Sequence, residues 1–136
     1  MSDNRNAVLL WSHQITFEQT IDLKSNWGVE LIFEMAEAIK NAWGQVPTSE
    51  IDFFSYTDKV REWLLKVTKK DDVVVIQGEY GLTYFMVNWC LSRDLVPVYA
   101  LTERRSEEIK APDGAITKIS RFCHCGFRVY QKVNII

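Results

Sequence analysis

The sequence predicts an α/β domain: a mostly parallel sheet flanked by helices, with a β-hairpin at the C-terminal end. Three observations carry this expectation. Short β-branched runs alternate with helical patterns along most of the chain. One run, Val73-Val74-Val75-Ile76, shows no polar alternation and suits a strand buried on both faces, as in a parallel sheet. After residue 101 the alternation stops, and strand-like segments flank the turn signal Pro112-Asp113-Gly114.

Taken in order, residues 7–11 read as a first strand, ending in Ser12-His13-Gln14. Thr16 is placed to cap a helix running to about Trp27, and Gln19 three residues on completes a capping-box pattern. Gly28 closes that helix, and residues 29–33 form a second strand. Two helical patterns follow, broken at Gly44 and Pro47; the second carries Val60, Trp63, Leu64 and Val67 at helical spacing. The third strand spans residues 72–77. Its helix sets Leu82, Phe85, Met86, Trp89 and Cys90 on one face. A fourth strand at 95–101 ends in Thr102-Glu103-Arg104-Arg105, and the hairpin comes last.

Composition bounds the function. At 136 residues and 47% hydrophobic content, the expectation is a single domain, 1–136, with a full core. A net charge of −2 calls for neither long nucleic acid nor an anionic membrane as partner. No apolar run is long enough for a membrane span, and the polar start does not read as a signal peptide. Three cysteines, an odd count, fit reduced thiols and a cytoplasmic location.

Ligands of open α/β sheets bind beyond the carboxyl ends of the strands, at a topological switch point. Three clusters are expected there: Ser12-His13-Gln14, Gln77-Gly78-Glu79-Tyr80-Gly81 with Thr83 just inside the helix, and Thr102-Glu103-Arg104-Arg105. Gly78 and Gly81 allow a tight turn and close backbone approach, and the following helix N-terminus favours an anion. The dinucleotide fingerprint is absent, since no third glycine stands at the required offset. Arginines fork onto phosphate, amides and carboxylates read ribose or base edges, and Tyr80 can stack on a base. The plain alternative is that polar loops follow strands in any such protein and that Arg104-Arg105 is a surface ion-pair patch. Cys123-His124-Cys125 is not read as a metal site. Strand alternation would separate the thiols from His124, and no second ligand pair follows. No cofactor is expected.

At these clusters the sequence resembles a known family. "LLWSHQIT" at 9–16, "VVIQGEYGLTYFMVNW" at 74–89 and "VPVYALTERR" at 96–105 are similar to the small CRISPR-associated extrinsic ring nucleases of type III systems. The likeness runs from about residue 8 to residue 130, in order and spacing. It implies a Rossmann-like homodimer that binds cyclic tetra-adenylate and cuts it without a metal, ending the signal of the type III complex. For that chemistry His13 is the candidate general acid or base, with Glu79 the less favoured alternative for receiving the 2′-OH proton, while Arg104 and Arg105 are expected to hold phosphate. Ser12, Gln14, Gln77, Gly78, Glu79, Tyr80, Gly81, Thr83, Thr102 and Glu103 contact the ligand. Related families bind the ring without cutting it, so a sensor or sponge remains the alternative.

Overall fold

The computed structural model describes residues 4–133. Its elements run β1 (Arg5–Leu10), α1 (Phe17–Asn26), β2 (Val29–Glu34), α2 (Glu37–Gly44), α3 (Phe53–Tyr56), α4 (Asp58–Val67), β3 (Val73–Ile76), α5 (Tyr80–Ser92), β4 (Val96–Lys110) and β5 (Ile116–Val129). They build one five-stranded sheet in the order β2-β1-β3-β4-β5. Strands β1 to β4 are parallel, and β5 is antiparallel to β4. No helix among the described residues is long and apolar enough to cross a membrane.

Burial on both faces accounts for the unbroken apolar run of β3. Val74 and Ile76, with Val8 and Leu10 of β1, pack against Trp43 of α2, Leu64 of α4, and Met86 and Cys90 of α5. Val73 and Val75, with Ala7 and Leu9, face the opposite side, where Leu23 of α1 and Phe127 of β5 cover them. Each strand residue is therefore core on one side or the other, and no polar alternation is permitted.

Local rules set several boundaries. The Gln19 backbone N–H donates to Thr16 Oγ1 at 3.1 Å, and the Thr16 N–H donates to Gln19 Oε1 at 3.0 Å, which completes the capping box of α1. Gly28 takes a φ of +66° just beyond the helix, in the left-handed region. Between α2 and α4 the chain makes one extra turn of helix, α3, capped by Asp52. A four-residue turn is too short to show a helical period in sequence.

One boundary departs from expectation. The fourth strand does not end at residue 101; β4 continues through Thr102, Glu103, Arg104 and Arg105 to Lys110, paired throughout with β5. The ladder crosses a bulge at Leu101/Thr102 and then runs from Thr102↔His124 to Lys110↔Ile116. Across the bulge Cys125 has no partner and Gly126 adopts a φ of +145°, a conformation that favours glycine. Beyond the bulge the ribbon stands clear of the parallel sheet, and residues 102–110 are all exposed. At its root Phe127 is buried, and His124 Nε2 lies 2.7 Å from Asp22 Oδ2 on α1. Cys123 and Cys125 lie on the side of Glu103, with the Cys125 thiol 3.7 Å from its carboxylate, while His124 turns the other way.

Candidate functional site

β1 and β3 end in step, since the Gln77 backbone N–H donates to Leu10 O at 3.1 Å. From there the two chains part: one leads to α1 on one face of the sheet, the other to α5 on the opposite face. This is the topological switch point of the sheet, and it opens a crevice. A cavity of ≈ 900 Å³ occupies it. His13 enters from the β1 side, and Gln77, Gly78 and Tyr80 from the β3 side. Along α5 the wall continues through Thr83, Tyr84 and Asn88, and Tyr99, Tyr130 and Lys132 close the far side.

Each wall has a cause. Trp43 Nε1 donates to Gln77 O at 2.9 Å, which presses the indole onto Gly78. A Cβ at Gly78 would come within 2.8 Å of that nitrogen, and one at Gly81 within 2.9 Å of the Phe53 ring. A side chain at either position would thus force the Trp43 indole or the Phe53 ring to shift. Gln77 Oε1 accepts from the Ala100 backbone N–H at 2.6 Å, so its amide nitrogen is the group left to face a ligand. The Tyr130 hydroxyl donates to Ile76 O at 2.7 Å, and its backbone N–H donates to Pro97 O at 2.9 Å. These bonds fold the chain after β5 back over the end of β3. The Tyr130 ring lies 4.8 Å from that of Tyr99, and burial, then the Tyr99 phenol, pushes the Tyr130 phenol above its ordinary pKa. His13 is exposed and stands edge-on to the buried Trp11, with ring centroids 5.7 Å apart.

The cavity brings together His13, Gln77, Gly78, Tyr80 and Thr83. Ser12 and Glu79 line a smaller hollow of ≈ 240 Å³ that shares Gly78 with it. Glu79 is the cap of α5: its Oε1 accepts from the Leu82 N–H at 2.8 Å. The helix N-terminus expected to receive an anion is therefore held by the protein's own carboxylate, whose charge opposes a second anion there. Gln14 is exposed and Gly81 packs on Phe53; neither lines the cavity.

Thr102, Glu103, Arg104 and Arg105 do not line the cavity either, because the strand carries them onto the ribbon. Alternation then divides the arginines. Arg105 Nη2 donates to Glu103 Oε2 at 3.3 Å on one face, while Arg104 lies 5.9 Å over the Phe122 ring on the other. Neighbouring strand residues that point to opposite faces do not grip one phosphate as a pair, so the expected Arg104–Arg105 clamp is not formed within the chain.

Sequence reading missed Tyr84, Asn88, Tyr99, Tyr130 and Lys132. A signal existed for the first two. Tyr80, Tyr84, Val87, Asn88 and Leu91 form a second stripe on α5, away from the core positions Leu82, Met86 and Cys90. Tyr80 is 94% and Tyr84 74% exposed, which is unusual burial for large rings on an apolar helix.

Comparison with known proteins gives a family. The model of the uncharacterized protein MJ1673 family matches residues 5–128. A curated relative, uncharacterized protein MJ1673 of Methanocaldococcus jannaschii, is 36% identical over 123 residues, covering 90% of this chain and 95% of the relative. No solved structure matches significantly. With the family's pattern extending from the first strand almost to the end of the last, the chain belongs to the uncharacterized protein MJ1673 family.

Proposed function

We propose that this domain is a ring nuclease that binds a cyclic oligoadenylate, cyclic tetra-adenylate in the first instance, and opens it without a metal. The observation that carries the reading is the cavity at the β1/β3 switch point, where His13, Gln77, Gly78, Tyr80 and Thr83 meet although 64 or more residues separate His13 from the rest. Tyr80, Tyr84, Tyr99 and Tyr130 give that cavity aromatic surface suited to stacking bases, and Lys132 supplies a positive charge for phosphate. The parallel order β2-β1-β3-β4 with helices on both faces supports a Rossmann-like description.

A cyclic oligoadenylate carries its own nucleophile. The ribose 2′-oxygen attacks the adjacent phosphorus, the bond from phosphorus to the 5′-oxygen breaks, and the product ends in a 2′,3′-cyclic phosphate and a 5′-hydroxyl. One proton leaves the 2′-OH and one is delivered to the 5′-oxygen. His13 is the imidazole of the cavity and is suited to one of these transfers. The rest of the task is to hold the 2′-oxygen in line. A ring of four-fold repeat set on the two-fold axis of a homodimer would meet equivalent cavities from two copies. In this reading Arg104 and Arg105 act on the phosphates only if a partner's ribbon brings them there.

A second reading has a specific observation behind it. With Arg104 and Arg105 on the ribbon and Glu79 across the α5 N-terminus, Lys132 is the cationic side chain lining the cavity among the described residues. Such a cavity is better equipped to hold bases than to stabilise charge on phosphorus, which favours a sponge that sequesters the ring. Incubation with excess cyclic tetra-adenylate separates the two. Multiple turnovers to linear product mean a nuclease; intact ring recovered after denaturation means a sponge; no binding removes both.

A further inference from the structure

We propose that Arg128, with Lys132 and the Tyr99 hydroxyl, forms an anion seat at the β4/β5 end of the cavity, holding a phosphate of a nucleotide that spans it. The inference rests on the nucleotide reading above and adds where a phosphate sits and which cations hold it. In an open α/β sheet that place is ordinarily a glycine-rich turn and the helix N-terminus behind it. Here Glu79 caps α5 and sets a carboxylate there. The far wall has the opposite character.

Tyr99 of β4 and Arg128 of β5 are register partners, so their side chains stand side by side on one face of the sheet. Tyr99 lines the cavity, and Arg128 stands at the rim behind it. Arg128 Nη1 donates to the Tyr99 hydroxyl oxygen at 3.3 Å, and its guanidinium carbon lies 6.0 Å from the ring centroid. A guanidinium has further N–H groups to give, and the phenol keeps its own proton for a ligand oxygen. Lys132 lines the same side of the cavity, beside Tyr130. Neither Arg128 nor Lys132 forms an ion pair among the described residues, and no Asp or Glu lines the cavity. Arg105 and Arg121 differ, since each is held by a glutamate on the ribbon, at 3.3 Å and 3.4 Å. A guanidinium oriented by a phenol and not engaged by a carboxylate is suited to fork onto phosphate oxygens.

The position also separates two tasks. His13 follows β1 and Arg128 lies on β5, with β3 and β4 between them, a span of three strand spacings or roughly 14 Å. One phosphate does not reach both. The seat therefore serves a phosphate away from His13, in binding rather than in bond breaking.

The test compares ADP with adenosine, which share base and sugar and differ in charge. Each is titrated by NMR at millimolar concentrations and low salt against the full-length chain. ADP should bind tighter than adenosine by on the order of 10-fold, and added salt should reduce the difference. The double variant Arg128→Gln/Lys132→Gln, at two exposed positions, should lose most of that preference. Lys118→Gln, an exposed ribbon lysine, should keep it and controls for a general loss of positive charge. Equal or undetectable binding of ADP and adenosine, a full ADP preference in the folded double variant, or the same loss in Lys118→Gln would overturn the proposal. Cyclic tetra-adenylate keeps the two readings distinguishable. If the ADP preference depends on the pair but the ring does not displace ADP, the ring reading fails and the seat stands. If the ring binds the double variant as tightly as the wild type, the seat fails and the ring reading stands. In a nuclease the double variant should weaken binding of the ring while single-turnover opening at saturation keeps its rate; a slowed opening step with unchanged affinity would contradict a binding role.

Discussion

His13 stands at the mouth of the cavity with its ring free of protein hydrogen bonds among the described residues, held only by its edge contact with Trp11. An imidazole so placed is free to exchange protons with a ligand. His13→Ala should slow single-turnover opening of cyclic tetra-adenylate by roughly 10²–10⁴ while the dissociation constant stays within a few-fold. A variant that cuts at the wild-type rate would leave positioning of the 2′-OH as the source of catalysis. Tyr130 gives a prediction about stability. Its phenol is raised above the ordinary tyrosine pKa by burial and then by Tyr99, and its hydroxyl donates to Ile76 O. A raised folded pKa means the native state holds the proton longer than the unfolded chain does. The stabilisation is then complete below the ordinary tyrosine range and is lost as pH rises through the raised value. Thermal melts across the alkaline range should show this loss in the wild type and a weaker pH dependence in Tyr130→Phe. Parallel curves for the two proteins would contradict the assignment.

At the scale of elements, the turn joining β3 to α5 is shaped by what packs under it. Gly78→Ala would force a Cβ to within 2.8 Å of Trp43 Nε1, so the indole must move and its bond to Gln77 O is strained or lost. The substitution should lower stability by about 1–3 kcal/mol, with a change in tryptophan fluorescence; unchanged melting and spectrum would show that the turn yields easily. The capping box of α1 and the buried β3 were legible because each depends on a few adjacent residues: Thr16 with Gln19, and four consecutive apolar side chains. The end of β4 was not. Residues 102–105 are as polar as a loop, because a ribbon exposed on both faces imposes neither alternation nor apolarity, and its cross-strand ladder leaves little trace in composition. The same limit hid Tyr130 and Lys132, which reach the site only through the return of the chain over β3. Five of the thirteen expected site residues, His13, Gln77, Gly78, Tyr80 and Thr83, nevertheless converge in the cavity, because His13 and Gln77 follow strands that the structure pairs in parallel.

For the whole molecule, the prominent feature is the long ribbon. A two-stranded ribbon is marginal alone in water, and this one leaves both its edges and the exposed Phe122, Ile109 and Ile116 side chains open to a neighbour. A homodimer is the expected state, and light scattering at micromolar concentration should give twice the 15.9 kDa chain mass, with or without ligand. A monomer under both conditions would remove the two-fold account of the ring and with it any role for Arg104 and Arg105 at phosphate. The central claim concerns the cavity itself, and one assay reaches it directly. Purified protein is incubated with an excess of cyclic tetra-adenylate in the presence of a chelator, and the products are resolved over time. The account predicts several turnovers per protomer, giving short linear adenylates with a 2′,3′-cyclic phosphate end. Intact ring after repeated incubation, with or without binding, would contradict it.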